Sequence, residues 1–507
     1  MENERRQTPM RNANPSHLEL RITKRARTAT SAIGLAVLMT VSGCTVGPNY
    51  KRPATTPPAN FYQETAANAA SIADLPWWEV FKDPQLQGLI QEALKNNYDV
   101  RIAATRIEQA RQQVAIAHSL YYPQVSYGVD ISGRRAPGMR TGTYYGYNFP
   151  VSWEIDFWGR IRRINEEQKA LLLASEEGRR VVYLSLVSEV AQAYFELRAL
   201  DESLVIAKET SKSFQSTYEL FNKKFEGGAA SALDTSRAEG ALANVTSQIP
   251  DLERQILAKE NQISILLGHN PGPIARGAGL FEQNDMNEVP AGLPSTLMER
   301  RPDLREAEES LIAANAEIGV QRANYFPVIG LSAAFGASSI ALSQLAASGV
   351  TWGLGGVANG PIFTGGRLKA QVRTAYALRD EAELNWQKTL TAAFGEVSTA
   401  LNAHQKFAES VKEQTRSVNA YRESVRLSTI RYESGFASYF EVLDAQLNLY
   451  PAERTRVDLE LGRKVSLINI YQSLGGGWKL ADADWSNPAT NAVPSVTAPA
   501  ATPTPKP

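Results

Sequence analysis

Tyr145-Gly-Tyr-Asn-Phe-Pro-Val-Ser-Trp-Glu-Ile-Asp-Phe157 places Tyr145, Tyr147, Phe149, Val151, Trp153, Ile155 and Phe157 at alternate positions, against Gly146, Asn148, Pro150, Ser152, Glu154 and Asp156. Side chains alternate across a strand, so this stretch predicts a long strand with one apolar and one mostly polar face. Three other segments alternate in the same way. Val125, Tyr127, Val129 and Ile131 oppose Ser126, Gly128, Asp130 and Ser132. Ile329, Leu331, Ala333 and Phe335 form a third run, and Val350, Trp352, Leu354, Gly356, Ala358, Gly360 and Ile362 a fourth, weakened by small residues. The predicted strands therefore lie near 124–133, 144–157, 328–337 and 350–363. Their length and two-faced character fit a lipid-facing barrel with a wet lumen, although a soluble sandwich hairpin alternates similarly. Two hairpins cannot close a barrel alone, and open edges in lipid leave backbone groups unpaired, so such a barrel must be shared among subunits.

The strands recur because the chain is duplicated. Asp99 to Pro123 matches Asp303 to Pro327 at an offset of 204, and from Gly159-Arg160 against Gly366-Arg367 the offset is 207. Phe225 and Gly228 answer Tyr432 and Gly435, and Leu267-Gly268 answers Leu474-Gly475. A unit this long is no solenoid repeat; it implies two copies of a strand-helix module about a pseudo-symmetric axis. The repeats are placed at 74–290, with a helical hairpin at 160–268, and at 291–480, with a hairpin at 367–475.

In each copy the period then changes from two to 3.5. Tyr183, Leu186, Val190, Ala193, Leu197, Leu200, Leu204, Ala207, Ser211, Phe214, Tyr218, Phe221 and Phe225 alternate spacings of three and four, a heptad seam. Its shifted counterpart runs from Leu390 to Tyr432 through His404, Gln414 and Ser428. One unbroken helix from Gly159 to Phe225 spans roughly 100 Å, which demands equally long neighbours. Gly227, Gly228 and Gly435 sit where helix ends favour positive φ, and Ser231 and Ser438 begin the return helices. Asp234 and Glu441, three residues on, approach a capping-box pattern. Pro250 and Pro451 predict a bend or a division in each return helix.

The N-terminus suggests a compartment. Arg21, Lys24, Arg25 and Arg27 precede an apolar run near Ala32–Val41 that is too short to span a bilayer but suits a signal peptide, placed at 1–43. Val41-Ser42-Gly43-Cys44 resembles a bacterial lipobox, and Cys44 is the only cysteine in 507 residues. Lipidation of Cys44, with diacylglycerol on its thiol and an acyl chain on its α-amino group, is expected over a buried free thiol, and disulfides are excluded. The polar leader is long, so Met10 is an alternative start. Residues 44–73 read as a lipidated linker, disordered from Lys51 to Ala70, and 481–507 as a disordered Pro/Ala/Thr tail.

Charge balances at 53 basic and 53 acidic residues, which argues against a nucleic-acid surface. No run of 18 apolar residues follows the leader, so a membrane crossing must use strands. An enzyme or metal site needs a constellation, yet His17, His118, His269 and His404 are scattered, with no nucleophile elbow or phosphate loop. No cofactor or metal is expected, and His404 reads as a packed seam residue. The rival to a conduit is a lipid-anchored coiled-coil scaffold or adhesin, for which four alternating strands have no use.

The chain resembles the TolC/OprM family of outer-membrane efflux ducts, including its NodT-like lipoproteins. The resemblance rests on Cys44-Thr-Val-Gly-Pro-Asn-Tyr50, Trp77-Trp78 before Phe81-Lys-Asp-Pro-Gln-Leu86, Ile155-Asp-Phe-Trp-Gly-Arg160, Glu299-Arg-Arg-Pro-Asp303, and Arg431-Tyr-Glu-Ser-Gly435 leading into Val442-Leu-Asp-Ala-Gln446. It implies an α+β homotrimer in the Gram-negative outer membrane, with four strands per subunit in a 12-stranded β-barrel continued by a periplasmic α-helical barrel. It also implies docking to a periplasmic membrane-fusion adaptor and an inner-membrane RND-type pump. Ser152, Glu154 and Asp156 then line the lumen, the turns at Gly227, Gly228 and Gly435 are possible adaptor contacts, and Phe440 and Asp444 match the family's periplasmic gate. Leu447 stands where related ducts often carry arginine, which puts an ion-pair latch there in doubt.

Overall fold

A computed structural model describes residues 45–58, 60–61, 71–134, 142–283, 290, 292, 294–347, 349–481 and 484–485. The expected signal segment at 1–43, Cys44 and residues 486–507 lie outside them. The chain divides into two compact units. The first comprises residues up to Tyr50 with Val114–Gln168 and Ala314–Leu378; the second comprises Lys51–Gln113, Lys169–Ala313 and the chain from Arg379 onward.

The elements in order are α1 (Trp77–Val80), α2 (Pro84–Asn96), α3 (Tyr98–Ser119), β1 (Gln124–Val125), β2 (Gly128–Arg134), β3 (Gly142–Ile155), α4 (Arg160–Glu226), α5 (Ala232–Leu266), α6 (Leu297–Arg300), α7 (Pro302–Ala323), β4 (Val328–Ser339), β5 (Thr351–Asn359), α8 (Arg367–Glu433) and α9 (Tyr439–Ser473). Three helix pairs keep the duplication to the residue. α3 and α7 have 22 residues each, α4 and α8 have 67 each, and α5 and α9 have 35 each.

In the first unit the strands form one antiparallel sheet in which β1 and β2 both pair with β3, β3 pairs with β4 and β4 with β5. The predicted first strand is split. Ser126 N–H donates to Pro150 O, so Pro150 turns its nitrogen toward the same neighbour, and that nitrogen has no hydrogen to return. The ladder resumes at Gly128 opposite Asn148, while the β4 side of β3 runs unbroken from Tyr145 to Ile155.

In the second unit the heptad seam is the core. Leu186, Val190, Ala193, Leu197, Ala207 and Phe214 are buried on α4, and Leu390, Ala393, Val397, Ala400 and Val418 on α8. The polar seam positions find partners: Ser211 and Thr246 hydroxyls are 3.0 Å apart, and His404 Nδ1 lies 3.0 Å from Ser466 Oγ. Neither return helix divides. Pro250 lies inside α5 and Pro451 inside α9. One lost backbone bond is outweighed where Val245 and Leu252, or Tyr450 and Val457, are buried on either side of the proline. Both long helices close in a Schellman turn. Gly228 (φ 71) and Gly435 (φ 77) take the left-handed position, with Ala229 N–H donating to Lys224 O and Phe436 N–H to Arg431 O. Gly227 needs no positive φ, which is why its counterpart is Ser434. The capping box forms at Ser231 and Asp234. It does not form at Ser438, whose side chain makes no cap bond; Glu441 instead faces Arg431 at 3.7 Å.

Two boundary expectations change. In the linker, Phe61 is buried, and Arg52 grips Glu308 through Nε and Nη2, each at 2.6 Å. At the far end the tail does not begin at 481, because Trp485 is buried, accepts the Trp77 indole N–H at 3.2 Å and lies 5.7 Å from the Tyr183 ring.

Candidate functional site

Register decides what the sheet presents. Directly opposed residues share a face, and the pairs Val129 with Tyr147, Phe149 with Phe335, Trp153 with Leu331, Ala333 with Leu354 and Phe335 with Trp352 are all opposed. Every strand thus contributes its apolar set to one surface. Much of that surface is open: Tyr127 is 80% exposed and Trp352 79%. The other face carries Asp130, Asn148, Ser152, Ser332, Thr351 and the glycines between them. Ser152 sits opposite both Gln124 and Ser332. The two outer strand runs each pair on one side only among the described residues.

The expected lumen carboxylates stand at the start of α4. Glu154 accepts from Arg160 Nε at 2.9 Å. Asp156 accepts from the backbone N–H of Ile161 at 2.9 Å and Arg162 at 3.0 Å, and from Arg162 Nε at 3.0 Å. A carboxylate there satisfies free N–H groups and opposes the positive helix end. Both acids thereby stiffen the strand-to-helix junction, and Ser152 remains an open hydroxyl position.

In the second unit the helix turns hold an aromatic knot. Tyr439 meets Phe221 and Tyr432 edge to face, at centroid separations of 4.7 and 5.1 Å, and the Thr217 and Tyr439 hydroxyls lie 2.6 Å apart. Lys224 donates to the Tyr432 hydroxyl. Phe440, 55% exposed, lies under the Arg237 guanidinium at 5.4 Å. Asp444 is exposed one turn on, with Asn448 Nδ2 at 3.4 Å from its carboxylate. Sequence reasoning missed Thr217, Lys224, Arg237 and Tyr439, whereas Phe221 and Tyr432 were signalled by their places on the seam and Phe440 as a gate position.

Glu167 on α4 faces Glu317 on α7, and burial together with that second carboxylate pushes its carboxyl up to about 7. Gln321 Nε2 donates to Glu317 at 2.6 Å. The folded chain keeps a proton that the unfolded chain loses near pH 4.5, so stability falls between about pH 4.5 and 7. Glu167→Gln is expected to flatten that slope and stabilise the protein at pH 8 by up to about 3 kcal/mol per chain. Denaturant melts at pH 5 and pH 8 check this; equal slopes in parent and variant would sink it.

Among the described residues no helix is long and apolar enough to cross a membrane, and no group of three His, Cys, Asp or Glu is placed to hold a metal.

A family model described as outer membrane efflux protein matches residues 89–269 and 293–476. The toluene efflux pump outer membrane protein TtgC of Pseudomonas putida is 36% identical over 464 residues, covering 88% of this chain and 96% of that protein. The cation efflux system protein CusC of Escherichia coli is 34% identical over 455 residues, covering 87% and 98%. Among solved structures, the open state of the Neisseria gonorrhoeae MtrE outer membrane channel matches with a TM-score of 0.78 at 29% identity, over 86% of this chain and 99% of that one.

Proposed function

This chain belongs to the outer membrane efflux protein family, and on that premise we propose that three copies join their open sheets into one barrel. The protein is an outer-membrane efflux duct. The observation that carries the trimer is the sheet itself, with one contiguous apolar face, one polar face and, among the described residues, an unpaired edge on each side. In lipid every edge must pair, and three copies of four strand runs make a closed ring of twelve. The helical hairpins continue the lumen into the periplasm as an α-helical barrel. Phe440 and Asp444 narrow it there, and the turns at Gly227, Gly228 and Gly435 meet a periplasmic adaptor that links the duct to an inner-membrane RND-type pump. Ser152 faces the lumen, with Glu154 and Asp156 at its periplasmic rim.

The relatives carry toluene and cation transport in their names at nearly equal identity to this chain. Cargo choice is accordingly assigned to the pump. Conductance of the purified protein in planar bilayers, with a heat-resistant trimer on gels, tests the reading; a trimer that conducts nothing would make it a scaffold.

Cys44 carries the lipid in this proposal. Cys44→Ser is expected to abolish fatty-acid labelling and to lower transport only partly, because acyl chains contribute about 0.8 kcal/mol per buried CH₂ while a trimeric barrel holds the membrane without them. Undiminished labelling of the Ser variant would reject the site.

A further inference from the structure

The residues just after Cys44 are seated in a slot between the two repeats. Val46 N–H donates to Trp158 O at 3.1 Å. Arg163, near the start of α4 and only 2% exposed, donates from Nε to Val46 O at 3.3 Å and from Nη2 to Gly47 O at 3.4 Å and Asn49 Oδ1 at 2.7 Å. Asn315 on α7 donates to Pro48 O at 3.0 Å. The approach is close enough to need glycine on both sides. A Cβ on Gly47 (φ +102) would stand 2.5 Å from Gly319 Cα, and one on Gly159 would stand 2.6 Å from Thr45 Cγ2.

A buried guanidinium is tolerated only when its donors are matched. Glu166 supplies one partner at 2.7 Å; the other three named here come from residues 46, 47 and 49. Without them Arg163 loses most of its compensation. The six residues therefore complete this unit's core at a place where α4 of the first repeat meets α7 of the second.

Their seat also fixes the height of the N-terminus. Thr45 rests on Gly159, next to a collar in which Trp158 stacks on Phe326 at 4.4 Å and meets Phe157 edge-on at 4.8 Å. Phe157 and Phe326 are exposed. Thr45, the residue that follows Cys44 in the chain, thus sits beside that collar, at the end of the apolar sheet face. An amphipathic tryptophan flanked by exposed apolar rings suits the boundary of a bilayer.

We infer that Thr45–Tyr50 is a docked strap that joins the two repeats and holds the acyl chains of Cys44 against the Phe157, Trp158 and Phe326 collar. The acyl half rests on the lipidation proposed above; the strap half does not.

Full-length Asn49→Ala, Arg163→Gln and the double variant test the strap. Fatty-acid labelling should match the parent in all three. Each single change should lower the temperature at which the trimer dissociates by several degrees, and the double variant should fall short of their sum, because both remove one shared interaction. Unchanged or strictly additive temperatures overturn the strap, and Asn49→Ala, an exposed position, keeps the test open if Arg163→Gln does not fold. For the acyl half, protein from cells fed a brominated fatty acid should show Trp158 quenching, measured as the difference from Trp158→Phe, that drops in Cys44→Ser. Quenching equal in Cys44→Ser and parent overturns the acyl seat, whereas an unlabelled parent overturns the lipidation itself and leaves the strap standing.

Discussion

Phe335→Arg is expected to abolish the heat-resistant trimer. Phe335 sits in β4 opposite Phe149 on one side and Trp352 on the other, with the Phe149 ring 6.4 Å away. Phe149 and Phe335 occupy the middle of β3 and β4 on the apolar face, where lipid would be deepest. A charge near the midplane of a membrane barrel costs about 2–4 kcal/mol, or roughly 6–12 kcal/mol over three subunits. Ser332→Arg is the control. Ser332 lies on the same strand but the opposite face, across from Ser152 and Gly355, so its arginine would project into water. That variant should keep the trimer and weaken cation conductance through added positive charge. Equal tolerance of the two substitutions, judged on gels, would mean that the apolar face does not meet a bilayer.

The duplicated plan was legible because its signals are local and repeated. Alternation over Tyr145–Phe157 fixes which residues share a face, and the offset of 207 carries helix bounds from one copy to the other without error. What sequence reading missed depends on partners distant in the chain. The break at Ser126 and Tyr127 is caused by Pro150, on the neighbouring strand. The continuity of α5 through Pro250 depends on buried neighbours that single-residue propensity does not contain. Ser438 has the cap chemistry of Ser231, but Glu441 is drawn toward Arg431, a contact set by how the two helices return past each other.

The candidate site shows the same division. Glu154 and Asp156 were placed by alternation on the polar face, and their pairing with Arg160 and with the first turn of α4 follows only from the bend at Gly159, whose φ is +79. Arg163 carries no sequence signal at all, being one basic residue in Arg-Ile-Arg-Arg. Its partner Asn49 lies 114 positions away. Trp485, expected in a featureless tail, is recognisable only through Trp77 and Tyr183.

Joint replacement of Phe440 and Asp444 by alanine is expected to raise the conductance of the closed duct several-fold and to admit large antibiotics, with little loss of trimer. Both lie on one face of α9, four residues apart, and both are exposed, so truncation removes little packing. Phe440 gives up a cation–π contact with Arg237 at 5.4 Å, worth about 0.5–1 kcal/mol at an exposed site. In the proposed trimer they would supply three apolar blocks and three carboxylates, so the double change is expected to remove a steric plug and a cation-selective ring together. Leu447, also exposed, offers no charge to latch Asp444. The knot beside them behaves differently. Tyr439→Ala strips Phe221, Tyr432 and Thr217 of their shared partner and should cost about 2 kcal/mol or more in stability. Single-channel recordings with a thermal melt on each variant separate the roles. A Phe440/Asp444 double variant as tightly closed as its parent would move the constriction away from these residues.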